Sequence, residues 1–151
     1  MSADKVVRSA NGERAPMRWD APRPKRRRCR LPVEVDAKQV GEFFMLANSN
    51  FERSWNFWLV HLAEEVYRWD LRPGISGHSN PKACPDGFPR NVPQPEHEHL
   101  WVEGLDCDCA LPLDDGPRTD HEGVLGEFCR RANIRFGMAY VHPTPEFRFP
   151  V

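Results

Sequence analysis

The chain has 151 residues, of which 40% are hydrophobic and 11% aromatic, values that predict a folded domain and exclude an intrinsically disordered protein. It has no apolar run near the roughly 18 residues that span a bilayer, and its first residues lack the apolar core of a signal peptide, so we expect a cytoplasmic protein with no membrane partner. The formal net charge of −1 is unevenly distributed, because residues 1–30 carry ten Lys and Arg against three acidic residues.

Residues 1–28 are predicted to form a basic flexible arm, followed by a single α+β domain over residues 29–151. Ser, Asn, Gly, Pro and charged residues dominate this basic arm, and its last positions are cations that repel one another. Such a run binds phosphates through counterion release, without sequence specificity. Nucleic acid is therefore a candidate partner, and an inert, solubilising extension is the alternative. The candidate nucleic-acid contacts are Lys25, Arg26, Arg27 and Arg28.

Strand character begins after the basic arm. Residues 29–35 are predicted to form a short strand, and residues 43–47 another strand or a short helix. Residues 54–71 contain two aromatic and β-branched runs, which fit either one helical stripe or a β-hairpin that turns at residues 63–65. The aromatic density and the alternation around Trp69 favour the hairpin.

Residues 73–96 contain six prolines and three glycines, so we expect a long Pro-rich loop with no regular element. A loop of this length in a compact domain is usually functional or disordered. Residues 97–103 and 107–113 are predicted to be partner strands. A helix is predicted from a Thr119 cap to about Ala132, ending near the next residue.

The C-terminal segment is predicted to add an edge strand around Phe147. The predicted fold class is therefore α+β, with a curved antiparallel sheet, one main C-terminal helix packed on it and the Pro-rich loop. The five cysteines are odd in number and scattered, so reduced thiols are expected. A zinc site of Cys84, Cys107 and Cys109 with one histidine is the weaker alternative, because C-x-C spacing is poor for structural zinc.

The sharpest local pattern is His97-x-His99-x-x-x-Glu103, whose three residues project from one face of the predicted strand. Two imidazoles and a carboxylate match the ligands of zinc, iron or manganese, so His97, His99 and Glu103 form a candidate divalent-metal site. The same groups can instead do acid–base work, since imidazole titrates near neutral pH. Satisfied structural or surface histidines are the alternative to both.

Residues around this pattern complete the candidate site. The candidate catalytic residues are His78, His97, His99, Glu103 and Asp70. The candidate substrate-binding residues are Arg68, Asn80 and Arg90. Arg90 is included because its planar fork suits a phosphate or a carboxylate, and a solvated loop charge is the alternative. Arg68 and Asp70 share a face of the predicted strand and can equally form a structural ion pair.

The order Arg68-Trp69-Asp70, His78-x-Asn80-Pro81, His97-x-His99 and Glu103-Gly104 resembles a set of uncharacterised prophage and mobile-element proteins. The toxin members of TumE-type toxin–antitoxin systems look similar over the same stretch, about residues 54–134. The resemblance implies a mobile-element or defence-related protein, such as a toxin that acts on nucleic acid and has a partner that restrains it. This chain departs from the toxin pattern in its longer Pro-rich loop and in its basic arm.

The sequence leaves two main functions open. The first is an enzyme, a nuclease or another hydrolase, which acts on a nucleic acid or nucleotide through the histidines. The second is a non-catalytic interaction protein, such as a phage-encoded inhibitor, an antitoxin-like partner or an accessory subunit, in which the histidines brace the Pro-rich loop. A small-molecule or metal-binding module without turnover is a third.

Overall fold

The computed structural model describes residues 5–7, 16–20, 26–48, 53–72, 77–113, 118 and 120–143. Over these residues the chain forms β1 Lys5–Val7, β2 Arg26–Val35, β3 Lys38–Asn48, β4 Trp55–His61, β5 Glu64–Leu71, β6 His78–Ser79, β7 Asn91–Val92, β8 Glu96–Val102, β9 Asp106–Pro112, α1 His121–Arg131 and β10 Ile134–Phe136. Within this described part of the chain, no helix is long and apolar enough to cross a membrane. Three predicted residues, Lys25, Thr119 and Phe147, lie outside it.

Eight of the strands form one sheet in the order β10-β1-β2-β3-β4-β5-β8-β9, and β6 pairs with β7 separately. Neighbouring strands of the large sheet are antiparallel, except that β1 and β10 run parallel. The α+β prediction is confirmed. The sheet is mixed rather than fully antiparallel, because α1 carries the chain from β9 to the opposite edge, where β10 adds beside β1.

Helix α1 covers one face of the sheet. Its Phe128 is fully buried, and the Phe128 ring lies 5.2 Å from Phe43, 5.6 Å from Phe57 and 5.1 Å from Tyr67, centroid to centroid. Burying a phenylalanine side chain contributes roughly 1.5–3 kcal/mol. The core therefore lies between α1 and this face, and the opposite face of the sheet is free to present polar side chains.

The ends of α1 follow from local capping. Asp120 is the N-cap, and its carboxylate accepts a hydrogen bond from the Gly123 amide at 2.9 Å. The predicted Thr119 cap is therefore replaced by the next residue. The predicted C-terminal end is confirmed, because Arg131 is the last helical residue and Asn133 has a φ of +53°.

Residues 54–71 form the predicted β-hairpin, with its turn at Leu62 and Ala63 rather than at residues 63–65. Both turn residues have positive φ, +50° and +66°. Two-residue turns of this kind match the right-handed twist of the flanking strands and usually contain Asn and Gly. The predicted position of the turn is wrong because neither Asn nor Gly occurs at residues 62 and 63.

The sheet includes described residues of the basic arm. β1 lies within the arm, β2 begins in it, and Met17 is buried in the core. Along β2, Arg26 and Arg28 are exposed, whereas Arg27 points to the other face and donates to Pro143 O. This corrects the prediction of a solvated flexible arm for these residues, because strand pairing satisfies the backbone and alternation separates the like charges.

The Pro-rich segment contains one regular element, contrary to the expectation. His78 pairs with Val92, and Ser79 pairs with Asn91, in the short β6–β7 ladder. Val92 is buried, which anchors the ladder against the rest of the domain. The prolines lie outside the paired positions, so the ladder keeps its backbone donors.

A disulfide joins Cys84 in the Pro-rich segment to Cys109 on β9, with their Cα atoms 5.8 Å apart. The expectation of reduced thiols is wrong for this pair, whereas Cys29, Cys107 and Cys129 are free and buried. The alternative zinc site is also wrong, because two of its three sulfurs are bonded to each other. Sequence analysis missed the pair because a separation of 25 residues says nothing about spatial approach.

Candidate functional site

Two cross-strand rows bring the predicted site residues together on the sheet face opposite α1. The first row contains Trp58, Arg68 and His99, and the second contains Asn56, Asp70 and His97. Side chains alternate along a strand, so these six residues share one face while their aromatic neighbours face the helix. The hairpin β4–β5 and strand β8 therefore build the site between them.

Each of three histidines is held through one ring nitrogen by a main-chain carbonyl. His99 Nδ1 lies 2.9 Å from Cys107 O, His97 Nδ1 lies 3.3 Å from Gln94 O, and His78 Nε2 lies 2.8 Å from Asp108 O. A carbonyl oxygen only accepts, so each of these nitrogens carries a hydrogen, and a neutral ring keeps a free lone pair on its other nitrogen. This anchoring is typical of histidines whose second nitrogen binds a metal.

Asp70 lies beside the second ring nitrogen of two of these histidines. Its Oδ2 is 3.3 Å from His99 Nε2, 3.7 Å from His97 Nε2 and 3.3 Å from Arg68 Nε, and its Oδ1 accepts from Asn56 at 2.5 Å. Burial alone would raise the pKa of Asp70. The hydrogen bond to His99 and the charge of Arg68 outweigh burial and hold that pKa well below its usual range. Asp70 is therefore an ionised carboxylate in a largely buried position.

The histidines add lone pairs to this carboxylate. Burial lowers the pKa of His97, and the neighbouring His99 lowers it further, so His97 is neutral at pH 7. Arg68 Nη2 lies 3.1 Å from His99 Nε2, so a guanidinium and a carboxylate both approach this ring nitrogen. The site thus concentrates acceptors that a proton or a cation stabilises.

His78, His97 and His99 together form a candidate metal-binding group. Each offers one ring nitrogen, and the three nitrogens lie within 4.8 Å of one another. Three imidazoles with a carboxylate beside them match the ligand preferences of zinc, and also those of iron and manganese. Nitrogen ligands around tetrahedral zinc lie about 3.3 Å apart for bonds of about 2.0 Å, so ring movements of about 1 Å bring this group to bonding distance.

A cleft with a volume of about 420 Å³ opens beside the histidines on the same face. Sites that bind small molecules have volumes of about 300–1,000 Å³. The described residues that line it are Leu46, Asn56, Trp58, Glu65, Arg68, Asp70, Arg72, Gly77, His78, Pro95 and His97. The two arginines and two histidines among these residues suit an anionic ligand near acid–base groups.

The structure separates Glu103 from the histidines, which corrects its assignment as a ligand or base. The register between β8 and β9 shifts between Leu100 and Val102, and β8 ends there. Glu103 is exposed in the following turn, four residues and about 13 Å along the chain from His99. The alternation that predicted a shared face does not reach Glu103, because β8 ends at Val102 and Glu103 lies in the turn that follows.

Asn80 and Arg90 also lie outside the cleft as the structure describes it. The Asn80 side chain is buried, donates to Pro89 O at 2.6 Å and Ala110 O at 2.8 Å, and accepts from Ala110 N at 2.7 Å. Its amide is used by the backbone, so Asn80 positions the Pro-rich segment. Arg90 is exposed and donates to Asn80 O at 3.4 Å. The assignments of Asn80 and Arg90 to substrate binding were wrong for the same reason, which is that the Pro-rich segment folds back on β9.

Three cleft residues were missed in the sequence. Asn56 donates to Asp70, Trp58 pairs across the ladder with Arg68, and Arg72 lines the cleft beyond the end of β5. Counting from the two-residue turn gives residues 57 and 55 as the partners of residues 68 and 70. The register shifts by one residue between Leu59 and Val60, so only the structure brings Trp58 and Asn56 to these positions.

Comparison of the chain with known protein families, with curated proteins and with solved structures found no match. The resemblance to mobile-element proteins therefore stays a prediction. The functional argument depends on the geometry of the histidines, Asp70 and the cleft.

Proposed function

We propose that the protein is a divalent-metal-dependent hydrolase that cleaves a phosphate ester in a nucleic acid or a nucleotide. The observation that supports this most directly is the approach of His78, His97 and His99 to one another beside ionised Asp70. Each ring is already oriented by a main-chain carbonyl. Lone pairs clustered around a buried carboxylate oppose folding. A cluster that costs stability in this way is better explained by a function than by a structural role.

In this proposal the three histidines would hold the ion, which would supply a water of lowered pKa as the nucleophile. Asp70 would orient that water by accepting a hydrogen bond from it, or would complete the ligand set. Arg68 lies at the junction of the histidines and the cleft, where its guanidinium faces a bound phosphate and stabilises the developing negative charge.

The proposed biological role is that of a toxin-like enzyme of a mobile element or defence system, restrained by a cognate protein. Support comes from the residues that carry the resemblance, because five of them are neighbours in space: Arg68, Asp70, His78, His97 and His99. Residues that meet in this way beside one cleft fit a reaction centre better than separate structural roles do.

Metal analysis by mass spectrometry on tag-free protein is the first test. We expect near-stoichiometric divalent metal in the wild type and its loss in the His97→Ala/His99→Ala variant. His61→Ala is the matched control, because His61 is exposed on β4 and its ring nitrogen also meets a carbonyl, that of Val40, at 2.7 Å. The same proteins are then assayed for hydrolysis of RNA, DNA and a small phosphodiester.

Hydrolysis that depends on metal and falls at least about 100-fold in the double variant would support the proposal. A wild type that binds no metal and hydrolyses none of these esters would overturn it. The histidines would then be braces of the Pro-rich segment, as the contact of His78 with Asp108 O allows. That outcome would favour the non-catalytic interaction protein.

A further inference from the structure

The face of β2, β3, β4, β5 and β8 that points away from α1, here called the outer face, is rich in arginine. Its described arginines are Arg26, Arg28 and Arg30 on β2, Arg68 on β5 and Arg72 just beyond β5. The acidic residues that pair with these arginines are Glu42 with Arg30, and Glu65 and Asp70 with Arg68. Exposed Asp20 adjoins Arg28, because its backbone N–H donates to Arg28 O at 2.8 Å. Arg26 and Arg28 have no ion-pair partner among the described residues, so the β2 side presents free positive charge.

An aromatic stack connects this charge to the cleft. The guanidinium of Arg30 lies 5.5 Å from the ring centroid of Phe44, and Phe44 stacks on Trp58 with centroids 5.6 Å apart and planes 8° apart. Trp58 in turn lines the cleft. These residues are cross-strand neighbours in the row that continues to Arg68 and His99.

Both rings are only partly buried, because α1 covers the other face of the sheet. Aromatic side chains on a sheet surface among arginines hold nucleobases by stacking, and the arginines hold the phosphates between them. Stacking of this kind needs the flat face of an unpaired base, which a duplex hides within its own stack. The combination of charge and aromatic surface therefore fits a single strand.

Resting on the proposed hydrolase, we propose that the outer face binds single-stranded nucleic acid and leads it into the histidine cleft. Phosphates of the strand contact Arg26 and Arg28, and a base stacks on Trp58 at the mouth of the cleft. The next phosphate then lies between Arg68 and the histidines. Strands are about 4.8 Å apart, so the path from β2 to β8 is about 19 Å long and spans more than one nucleotide.

Fluorescence anisotropy with labelled strands of about 12 nucleotides tests this path. RNA and DNA of one mixed sequence are used, each as a single strand and as a duplex, in EDTA so that no cleavage occurs. Arg28→Glu is compared with Arg130→Glu, an equal change of charge at an exposed position on α1. Trp58→Leu is compared with Phe136→Leu, which replaces a partly buried aromatic ring on β10 that packs against the core.

We expect the wild type to bind the single strand more tightly than the duplex. Trp58→Leu should bind the single strand about tenfold more weakly than the wild type, since each stacked base contributes substantially to affinity. Arg28→Glu should weaken binding and reduce its dependence on salt, because one phosphate contact is lost. The two control variants should bind like the wild type. Equal losses in Arg28→Glu and Arg130→Glu, wild-type affinity in Trp58→Leu, or tighter binding of the duplex would each overturn the inference.

This experiment is independent of the proposed hydrolase, because binding in EDTA needs neither metal nor turnover. If the protein binds the strand through Arg28 and Trp58 but cleaves nothing, the outer face remains a binding surface and the proposed hydrolase is rejected. A protein that holds metal and hydrolyses small phosphodiesters, yet binds no strand through these residues, keeps the hydrolase and removes the binding surface.

Discussion

Asp70 Oδ2 lies 3.3 Å from His99 Nε2, and this contact joins an ionised carboxylate to a fully buried imidazole. The other ring nitrogen of His99 donates to Cys107 O, so the ring cannot turn away without breaking a buried hydrogen bond. β9 therefore sets the orientation of His99, and β5 supplies the charge that it faces. The first prediction concerns this contact.

The Asp70→Asn variant keeps the shape of the side chain and removes its charge. We expect metal affinity to fall about 10- to 100-fold, because partners of metal-binding histidines raise ligand basicity and hold the rings in place. Isothermal titration with zinc measures this. Asp108→Asn, a charge removal at an exposed position on β9, is the control. Unchanged affinity in Asp70→Asn would make Asp70 a structural partner of Arg68 alone.

Asn80→Ala removes a side chain that makes three hydrogen bonds to the backbone of Pro89 and Ala110, of which the two to Ala110 are buried. Because these backbone groups lose their partners, we expect a loss of about 2 kcal/mol in the free energy of unfolding. Urea denaturation measures it. Ser79→Ala, at the adjacent exposed position, should be close to neutral. Equal stability of the two variants would contradict the anchoring role of Asn80.

Reducing the Cys84–Cys109 disulfide should lower the free energy of unfolding by about 3 kcal/mol, the loop-closure value for the 25-residue separation. The same reduction should weaken metal binding, since the disulfide holds the Pro-rich segment, which contains His78, to β9. Urea denaturation with and without reductant measures the first effect. In Cys84→Ala the reductant should change nothing further. A wild type that is insensitive to reductant would contradict this prediction.

The Ala63→Gly variant should be more stable than the wild type by about 1 kcal/mol. Ala63 has a φ of +66°, a conformation that strains residues with a Cβ and leaves glycine unstrained. The reverse change, Gly104→Ala, should destabilise by a similar amount, because Gly104 has a φ of +79° and a Cβ there meets nothing within 4 Å. Thermal melts compare the two, and shifts in the same direction would count against the argument.

His121 should make the protein sensitive to acid. Burial lowers its pKa to about 3, with the charge of His142 as the second cause. The unfolded chain, with a pKa near 6.5, therefore binds a proton that the folded protein excludes. The contribution of neutral His121 to the free energy of unfolding is fully present above pH 6.5. It is lost as the pH falls, and the loss is about 3 kcal/mol near pH 4.

His121→Phe removes this titration, so the stability of the variant should fall less steeply between about pH 7 and pH 4 than that of the wild type. Urea midpoints across this range provide the measurement. His61→Phe, an exposed position on β4, is the control and should keep the wild-type slope. A slope in His121→Phe equal to that of the wild type would assign the acid sensitivity to other groups.

Local patterns were enough to predict much of this protein. The hairpin over residues 54–71, the strands near residues 29–35 and 97–103, and the C-terminal helix each follow from periodicity and capping within a short window. The shared face of His97 and His99 follows from strand alternation in the same way. These features depend on neighbouring residues, so the sequence by itself determined them.

The tertiary structure decided which distant residues meet. His78 approaches His97 and His99 only because the Pro-rich segment folds back on β9, where Asn80 and the disulfide hold it. The exclusion of Glu103, the entry of β1 into the sheet and the row of aromatic residues beside the cleft depend on strand register. Register and loop closure are set by contacts between segments far apart in the chain, and a local pattern holds no information about them.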